Sequence, residues 1–392
     1  MTSEIGELSA KATYYTNRVK NATKITDIYV ARAKREVLTL IETLKSQITP
    51  RTRANLTVAH DGEVVLERTT LRGLYLTPSS GIKRLRIKGG VVLYNITLVG
   101  IPVIVEGSNN LLVNVKVDGL GRTDCIVVSG NNNTLFNVTV MNCITGIYIY
   151  HGHNNIVWNF NITRASRLLL GVEAGNNNIV ANGYGIGPYP TFGILIWRGK
   201  ENVVYNVTIA SAHNNFLFNV DGGRLYLVNT KCLRAPGLTS DDYYEGAVRN
   251  DGEVYIINPV AIGSATEVIG ACGNGSVYVV NPHFRNNMGL FLFFSCGTQR
   301  LNVIVINGSA STAETRTWYR SLVPRGVKLV LLNTTVTPID FTLKGGQIET
   351  LPYPLPLALV VSSLRVYNKL MLLVAVPLFL TLVVRLLVRR HK

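Results

Sequence analysis

The sequence is short of charge, histidine and acid pairs. Only 16% of its 392 residues are charged, and 39 Lys and Arg against 23 Asp and Glu leave a formal net charge of +16. The basic residues are spread along the chain rather than gathered into a patch interleaved with aromatics, which speaks against a nucleic-acid surface. Diffuse positive charge suits an anionic polymer or a membrane surface instead. The five cysteines, Cys125, Cys143, Cys232, Cys272 and Cys296, fit no zinc or redox spacing. Six histidines are too few and too scattered for a copper site; His151, His153 and His213 are the nearest to a group, and no metal or other cofactor is expected. No apolar core behind a basic flank opens the chain, so the first residues do not read as a signal peptide.

What is abundant is asparagine at a fixed interval. A short sentence of two apolar residues, Asn, then usually alternating apolar residues recurs at Asn95, Asn114, Asn137, Asn159, Asn182, Asn206, Asn229, Asn258, Asn281, Asn307 and Asn333. The steps are 19, 23, 22, 23, 24, 23, 29, 23, 26 and 26 residues. A period in the low twenties, rich in Val, Ile and Gly, marks a solenoid whose unit is one coil of short strands. Asn tolerates a left-handed backbone at a corner, and stacked Asn side chains can bond along the coil axis. A second strand is expected about ten residues after each Asn, as at Val103–Val105, Ile126–Val128, Ile147–Ile149 and Ile194–Ile196.

The stretches NNNTLFNVTV, HNNIVWNFNI, NNNIVANGYGI and KENVVYNVTI resemble the right-handed parallel β-helix repeats of the pectate-lyase-like superfold. They are similar in particular to the NosD-like periplasmic copper-binding and carbohydrate-binding/sugar-hydrolase repeats. The resemblance covers residues 60 to 345 and implies fold; the repeats are structural and imply no activity. Polygalacturonase-type enzymes of the superfold resemble one another through NTD, DD, GHG and RIK motifs in that order. Here Arg86-Ile87-Lys88 comes too early, His151-Gly152-His153 stands in place of GHG, and no paired aspartates stand on a regular coil between them. Inverting hydrolysis needs two carboxylates about 6.5 to 9.5 Å apart. The central coils offer Glu173 and Glu201, neither with an evident partner, and lyase-type calcium binding has only Asp118 and Asp124. No catalytic residue is assigned.

The expected organisation is all-β apart from its ends. Residues 1–50 form one long helix, with Leu8, Val19, Val30 and Ile41 spaced by eleven; such a helix serves an association of chains, a homo-oligomer, or covers the first coil. Residues 51–345 make eleven to twelve coils, and 346–369 a proline-rich spacer. Residues 370–388 are long and apolar enough for a transmembrane helix, and 389–392 a basic tail. The basic tail places the C-terminus in the cytoplasm or interior and the solenoid outside.

Aligning Ile147, Leu169 and Ile194 stacks Tyr150, Val172 and Trp197 on the outside, with His151, Glu173 and Arg198 in the next row. With Tyr148 and His153 these make a candidate glycan face, since sugars take flat aromatics beside fixed polar groups; ordinary exposed corner residues are the bland reading. The insertion 231–252, with Asp241-Asp242-Tyr243-Tyr244-Glu245, reads as a solvated loop. Of ten N-x-S/T sequons, five fall on the ladder, whose asparagines are expected to be inaccessible; Asn132, Asn161 and Asn274 are the glycosylation candidates. Cys272 and Cys296 should lie in adjacent coils, as buried thiols or as a disulfide. The function that follows is a membrane-anchored surface or envelope adhesin, cellular or viral, whose partner is a polysaccharide or a surface receptor; the rival is a membrane-tethered polysaccharide lyase or hydrolase.

Overall fold

In the computed structural model the chain is a parallel β-solenoid flanked by one helix. The described residues are 2–47, 59, 61–188, 191–210, 213–234, 243–264, 268–287, 291–293, 300–312, 321–337, 341–344 and 346–351. The expected spacer beyond Leu351, the 370–388 span and the basic tail lie outside them. Among the described residues no helix is long and apolar enough to cross a membrane.

Each coil has three faces rather than the expected two strands. The strand Ile179–Ile186 shows why: Asn182 sits inside it with φ 52° and bends it into two arms. The same bend recurs at every ladder position, with φ between 47° and 55° from Asn95 to Asn333. A left-handed residue within an extended run turns the chain sharply, and Asn accepts that conformation at least cost among the residues with a side chain. The arm before the Asn contributes to sheet A and the arm after it to sheet B. The second strand of the coil, as in Phe192–Trp197, builds sheet C. Twelve successive parallel pairings carry sheet A from Thr70–Arg72 to Gln347–Leu351. The solenoid thus continues to Leu351, past the expected boundary at residue 345.

The interior is filled by one residue of each alternating pair. Val157, Phe160, Ile162, Leu170, Val172, Val180, Ile194 and Ile196 are all buried in a single continuous cluster. Sheet A is apolar on its outer side as well. Val113, Trp158, Ala181 and Val228, just before the bend, are buried although they point away from the interior. What covers them is helix α1, Thr2–Gln47.

α1 runs along the solenoid instead of across its first coil. Lys11 pairs with Glu349 of the last sheet A strand, Arg18 with Glu253, and Leu44 packs with Leu111 and Val113 near the other end. From Lys11 to Leu44 the helix advances roughly 50 Å, and ten coil rises amount to roughly 48 Å, so helix and rod match in length. Its buried stripe, Ala12, Thr16, Val19, Ala22, Thr26, Ala33, Val37 and Leu44, follows the ordinary helical repeat. Within it Ala22, Ala33 and Leu44 are spaced by eleven, as are Thr26 and Val37. Small side chains on this stripe let the helix lie close against the sheet.

The asparagine ladder is on the outside of the solenoid. Asn95, Asn137 and Asn206 are exposed, so the ladder sequons are not inaccessible as expected. Their amides still bond along the axis: Asn114 Nδ2 donates to Asn95 Oδ1 at 2.8 Å, Asn137 to Asn114 at 2.6 Å and Asn206 to Asn182 at 2.8 Å. A second row, four residues earlier, is the buried one. Asn110, Asn133, Asn155, Asn178 and Asn202 are almost wholly inaccessible. The backbone N–H of each of the first four donates to the side-chain oxygen of the next at 2.9 Å. This row satisfies the turn from sheet C into sheet A, where no strand pairing is available.

Two further expectations change. The stretch 231–252 is not one solvated loop: Lys231–Leu233 is a strand of sheet B, and Tyr244–Ile257 begins in sheet C. Tyr243 and Tyr244 are fully buried, Tyr244 stacked on Phe216 at 5.2 Å; Asp241 and Asp242 lie outside the described residues. Cys125 and Cys143 form a disulfide between adjacent coils, Cα atoms 5.7 Å apart. Cys272 is disulfide-bonded rather than a free thiol, while Cys296, expected in the adjacent coil, lies outside the described residues. Cys232 is a buried free thiol.

Candidate glycan-binding face on sheet C

The strands Thr145–Tyr150, Leu168–Glu173, Phe192–Trp197 and Phe216–Asp221 lie side by side in sheet C. In the first of them Ile147 and Ile149 point inward, so Tyr148 and Tyr150 point out. Their register differs from the expected one by a residue in the middle strand. Ile147 pairs with Leu170, not Leu169, and Leu170 with Ile194. Consequently Tyr150, Glu173, Trp197 and Asn219 form one outward row. Tyr148, Gly171, Leu195 and Leu217 form the row beside it.

The slip brings a carboxylate between two aromatic rings. Tyr150 and Trp197 are separated by two coil rises, roughly 10 Å, with Glu173 in the coil between. Tyr150 is 42% exposed, and its ring stacks on Tyr148 with centroids 5.9 Å apart. The Tyr148 hydroxyl donates to Glu173 Oε2. Burial, followed by the hydrogen bond to Glu173 and that carboxylate's charge, raises the Tyr148 phenol above the ordinary tyrosine range, which keeps it the donor of the pair. Gly171 makes this geometry fit, because a Cβ there would stand 2.6 Å from Tyr148 Cδ2. Below the rings, Arg167 donates to Thr145 Oγ1 at 2.9 Å and lies 4.0 Å from Asp124.

The remaining expected residues divide. His151 and Arg198 are exposed and share the next row with Ala174, all three left-handed with φ 57°, 57° and 52°. The His151 ring meets Tyr150 edge-on at 4.1 Å, so it extends the aromatic surface. His153 is structural: its Nδ1 accepts the Asn176 N–H at 3.0 Å, as Asn131 Oδ1 accepts the His153 N–H one coil earlier at 2.8 Å. His213 packs against Phe192 at 4.9 Å, away from both.

Sequence reasoning missed Asn219, which is only 4% exposed and whose Oδ1 has no hydrogen-bond partner among the described residues. It also missed the true register, although the signal was there. Gly152, Gly175 and Gly199 recur at the turn out of sheet C, and counting back from them aligns Tyr150, Glu173 and Trp197. Each of the four candidate carboxylates has its own partner: Glu173 accepts from Tyr148. Glu201 lies in the turn into sheet A and accepts from Tyr226 at 3.2 Å. Asp118 Oδ1 accepts from Leu120 N and Asn142 Nδ2, whereas Asp124 faces Arg167. Among the described residues no three His, Cys, Asp or Glu side chains gather as a metal site would require. Of the glycosylation candidates, Asn132 and Asn161 are exposed, and Asn274 is half-buried with its Oδ1 bonded to the Asn250 N–H.

No protein-family model matches the sequence, and no curated protein does. Among solved structures the chain is similar to a variant of the periplasmic alginate epimerase AlgG, with 8% identity over 79% of this chain and 82% of that one and a TM-score of 0.47. It is also similar to the catalytic domain of an alpha-1,3-glucanase in complex with nigerose, at 11% identity over 76% and 70% and a TM-score of 0.44. A third is the Streptococcus pneumoniae surface protein and adhesin PfbA, at 10% identity over 74% and 89% and a TM-score of 0.42.

Proposed function

We propose that this protein binds polysaccharide on the outer face of sheet C and serves as a surface or envelope adhesin held to a membrane by residues 370–388. The observation that supports the binding reading is the row Tyr150, Glu173 and Trp197 with Tyr148 alongside. Aromatic faces two coils apart, roughly 10 Å, suit the apolar faces of alternate sugar rings, and the carboxylate fixed between them accepts from the hydroxyls. A chain-like ligand lies along the solenoid axis, where the coil rise repeats the contact. Membrane attachment is supported by the apolar run and basic tail of the sequence, with the solenoid outside. Asn132 and Asn161 are the glycan carriers in that setting.

The test is a glycan array read with the intact protein and with Tyr150→Ala and Trp197→Ala. Selective binding that falls about tenfold or more in each variant supports the reading; a signal that neither substitution changes removes it. Processing by paired carboxylates is the rival. The nearest other carboxylates of sheet C are Asp221, two coil rises away and two residues past the row, roughly 12 Å from Glu173 and bonded to Asn250, and Glu245, three coil rises away, roughly 14 Å along the axis; both lie beyond the about 6.5–9.5 Å of an inverting pair. Release of reducing ends or unsaturated products from acidic glycans would replace the adhesin by an enzyme.

A further inference from the structure

On the opposite flank, where α1 crosses the strands Arg224–Val228 and Tyr244–Ile257, helix and sheet do not close completely. A cleft of about 370 Å³ remains, lined by Arg18, Asn21, Ala22, Lys24, Ile25 and Ile28 of α1 and by Arg224, Tyr226 and Tyr255 of sheet A. Its size is that of a small-molecule site. The cause of the gap is visible in the packing. Tyr226, Tyr255 and Tyr278 form a stack, centroids 5.5 and 4.7 Å apart, which stands taller than the Val and Ile of neighbouring coils. The helix meets the stack through small residues on one side and leaves Ile25 and Ile28 facing open space on the other, Ile28 being 57% exposed.

The charges at the cleft are unbalanced. Glu253, 9% exposed, accepts from Arg18 at 2.8 Å, Arg224 at 3.2 Å and Tyr255 at 3.0 Å, so two guanidinium groups share one buried carboxylate. Glu201, bonded to Tyr226, supplies the second negative charge. Lys24 is exposed and makes no ion pair among the described residues. Three cations face two carboxylates, an excess of one positive charge over an apolar floor. The guanidinium groups are fixed by their shared carboxylate and need no reordering to meet a ligand.

We propose that this cleft is a binding site for a small amphipathic monoanion, a carboxylate, sulfonate or phosphate ester on an apolar body. The anion sits among Lys24, Arg18 and Arg224, and the body lies against Ile25 and Ile28. The site is independent of the sheet C face and remains if that face binds no glycan.

The probe is 1-anilinonaphthalene-8-sulfonate, with its uncharged relative N-phenyl-1-naphthylamine as control, titrated into the intact folded protein by fluorescence. One saturable site per chain is expected, at least about tenfold tighter for the sulfonate than for the neutral amine. Lys24→Glu, at an exposed position that leaves the fold intact, weakens the sulfonate about tenfold or more and the amine little. Ile25→Trp fills the cleft and removes both, and Trp197→Ala changes neither. Equal affinity for the two probes, more than one site per chain, or indifference to Lys24→Glu overturns the proposal.

Discussion

A single residue type does two opposite jobs in this solenoid, and position within the repeat decides which. The outer asparagines are there for their backbone: φ near +50° at each bend is what turns sheet A into sheet B. The inner ones are there for their amides, four residues earlier. Asn178 illustrates the difference. Its Oδ1 accepts both the backbone N–H and the Nδ2 of Asn155, and its Nδ2 donates to Gly152 O at 3.0 Å and to Asn202 Oδ1 at 3.1 Å. Asn178→Ala leaves a buried N–H unpaired and should cost about 2–3 kcal/mol. Asn137→Gly, which keeps the bend, should cost under about 1 kcal/mol, while Asn137→Val should cost about 1–2 kcal/mol for the left-handed backbone alone. Denaturant titration of the three variants ranks them; an Asn137→Gly loss as large as that of Asn178→Ala would contradict the division of roles. The turn is equally intolerant at Gly175, where a Cβ would stand 2.2 Å from Gly152 O, so Gly175→Ala should fail to fold or lose several kcal/mol.

At the scale of elements, α1 is fastened to sheet A at two ion pairs, Arg18–Glu253 and Lys11–Glu349. Glu349 is held by Lys328 and Lys11. The hydrogen bond from Lys328 is the main reason that its pKa lies below the ordinary 4.5, ahead of the opposing effect of burial. A depressed folded pKa contributes stability that is complete above the unfolded value and is lost as pH falls through the folded one. Helix attachment around Lys11 should therefore weaken below about pH 4.5 and be unchanged above pH 6. Amide exchange of residues 10–20 followed from pH 6 to 3, corrected for intrinsic rates, reads this directly; Glu349→Gln should abolish the trend.

The helix and its period were legible in the sequence, but not where it docks, because both an end cap and an association of chains satisfy a lone apolar stripe. The deciding signal lay elsewhere. Each bend is preceded by a continuous apolar run, Leu111-Leu112-Val113, Ile156-Val157-Trp158, Val203-Val204-Tyr205, and followed by alternation. Runs without alternation belong to sheets covered on both faces, so sheet A was marked for a cover from the outset. The fold was readable because it repeats. The glycan face was readable in its residues but not in its register, since Leu168-Leu169-Leu170 offers no alternation to count by. The disulfide joins Cys125 and Cys143 at different points of their coils, a proximity that a count of ladder intervals does not reveal.

The whole molecule differs from a simple stack of coils because of the same helix. In a solenoid each repeat touches only its neighbours, so unfolding can begin at either end and proceed stepwise. α1 touches coils from Leu111 to Glu349 at once and buries the outer side of sheet A between them. Losing any coil under the helix exposes apolar surface on α1 as well, and this couples coils that share no strand pairing. The intact chain should accordingly unfold in one transition over the region under the helix. Ala22→Asp and Ala33→Asp place a charge on the buried stripe without touching a coil, at several kcal/mol if the helix stays docked, so the helix should release instead. Their denaturant curves should then split into two or more transitions, each with a smaller m-value than the intact chain shows. Tryptophan emission follows Trp158 beneath the helix and Trp197 on sheet C together with Trp318, which lies outside the described residues. A single transition of unchanged m-value in both variants would mean that the coils cooperate through their strand ladders alone and that α1 is only a cover.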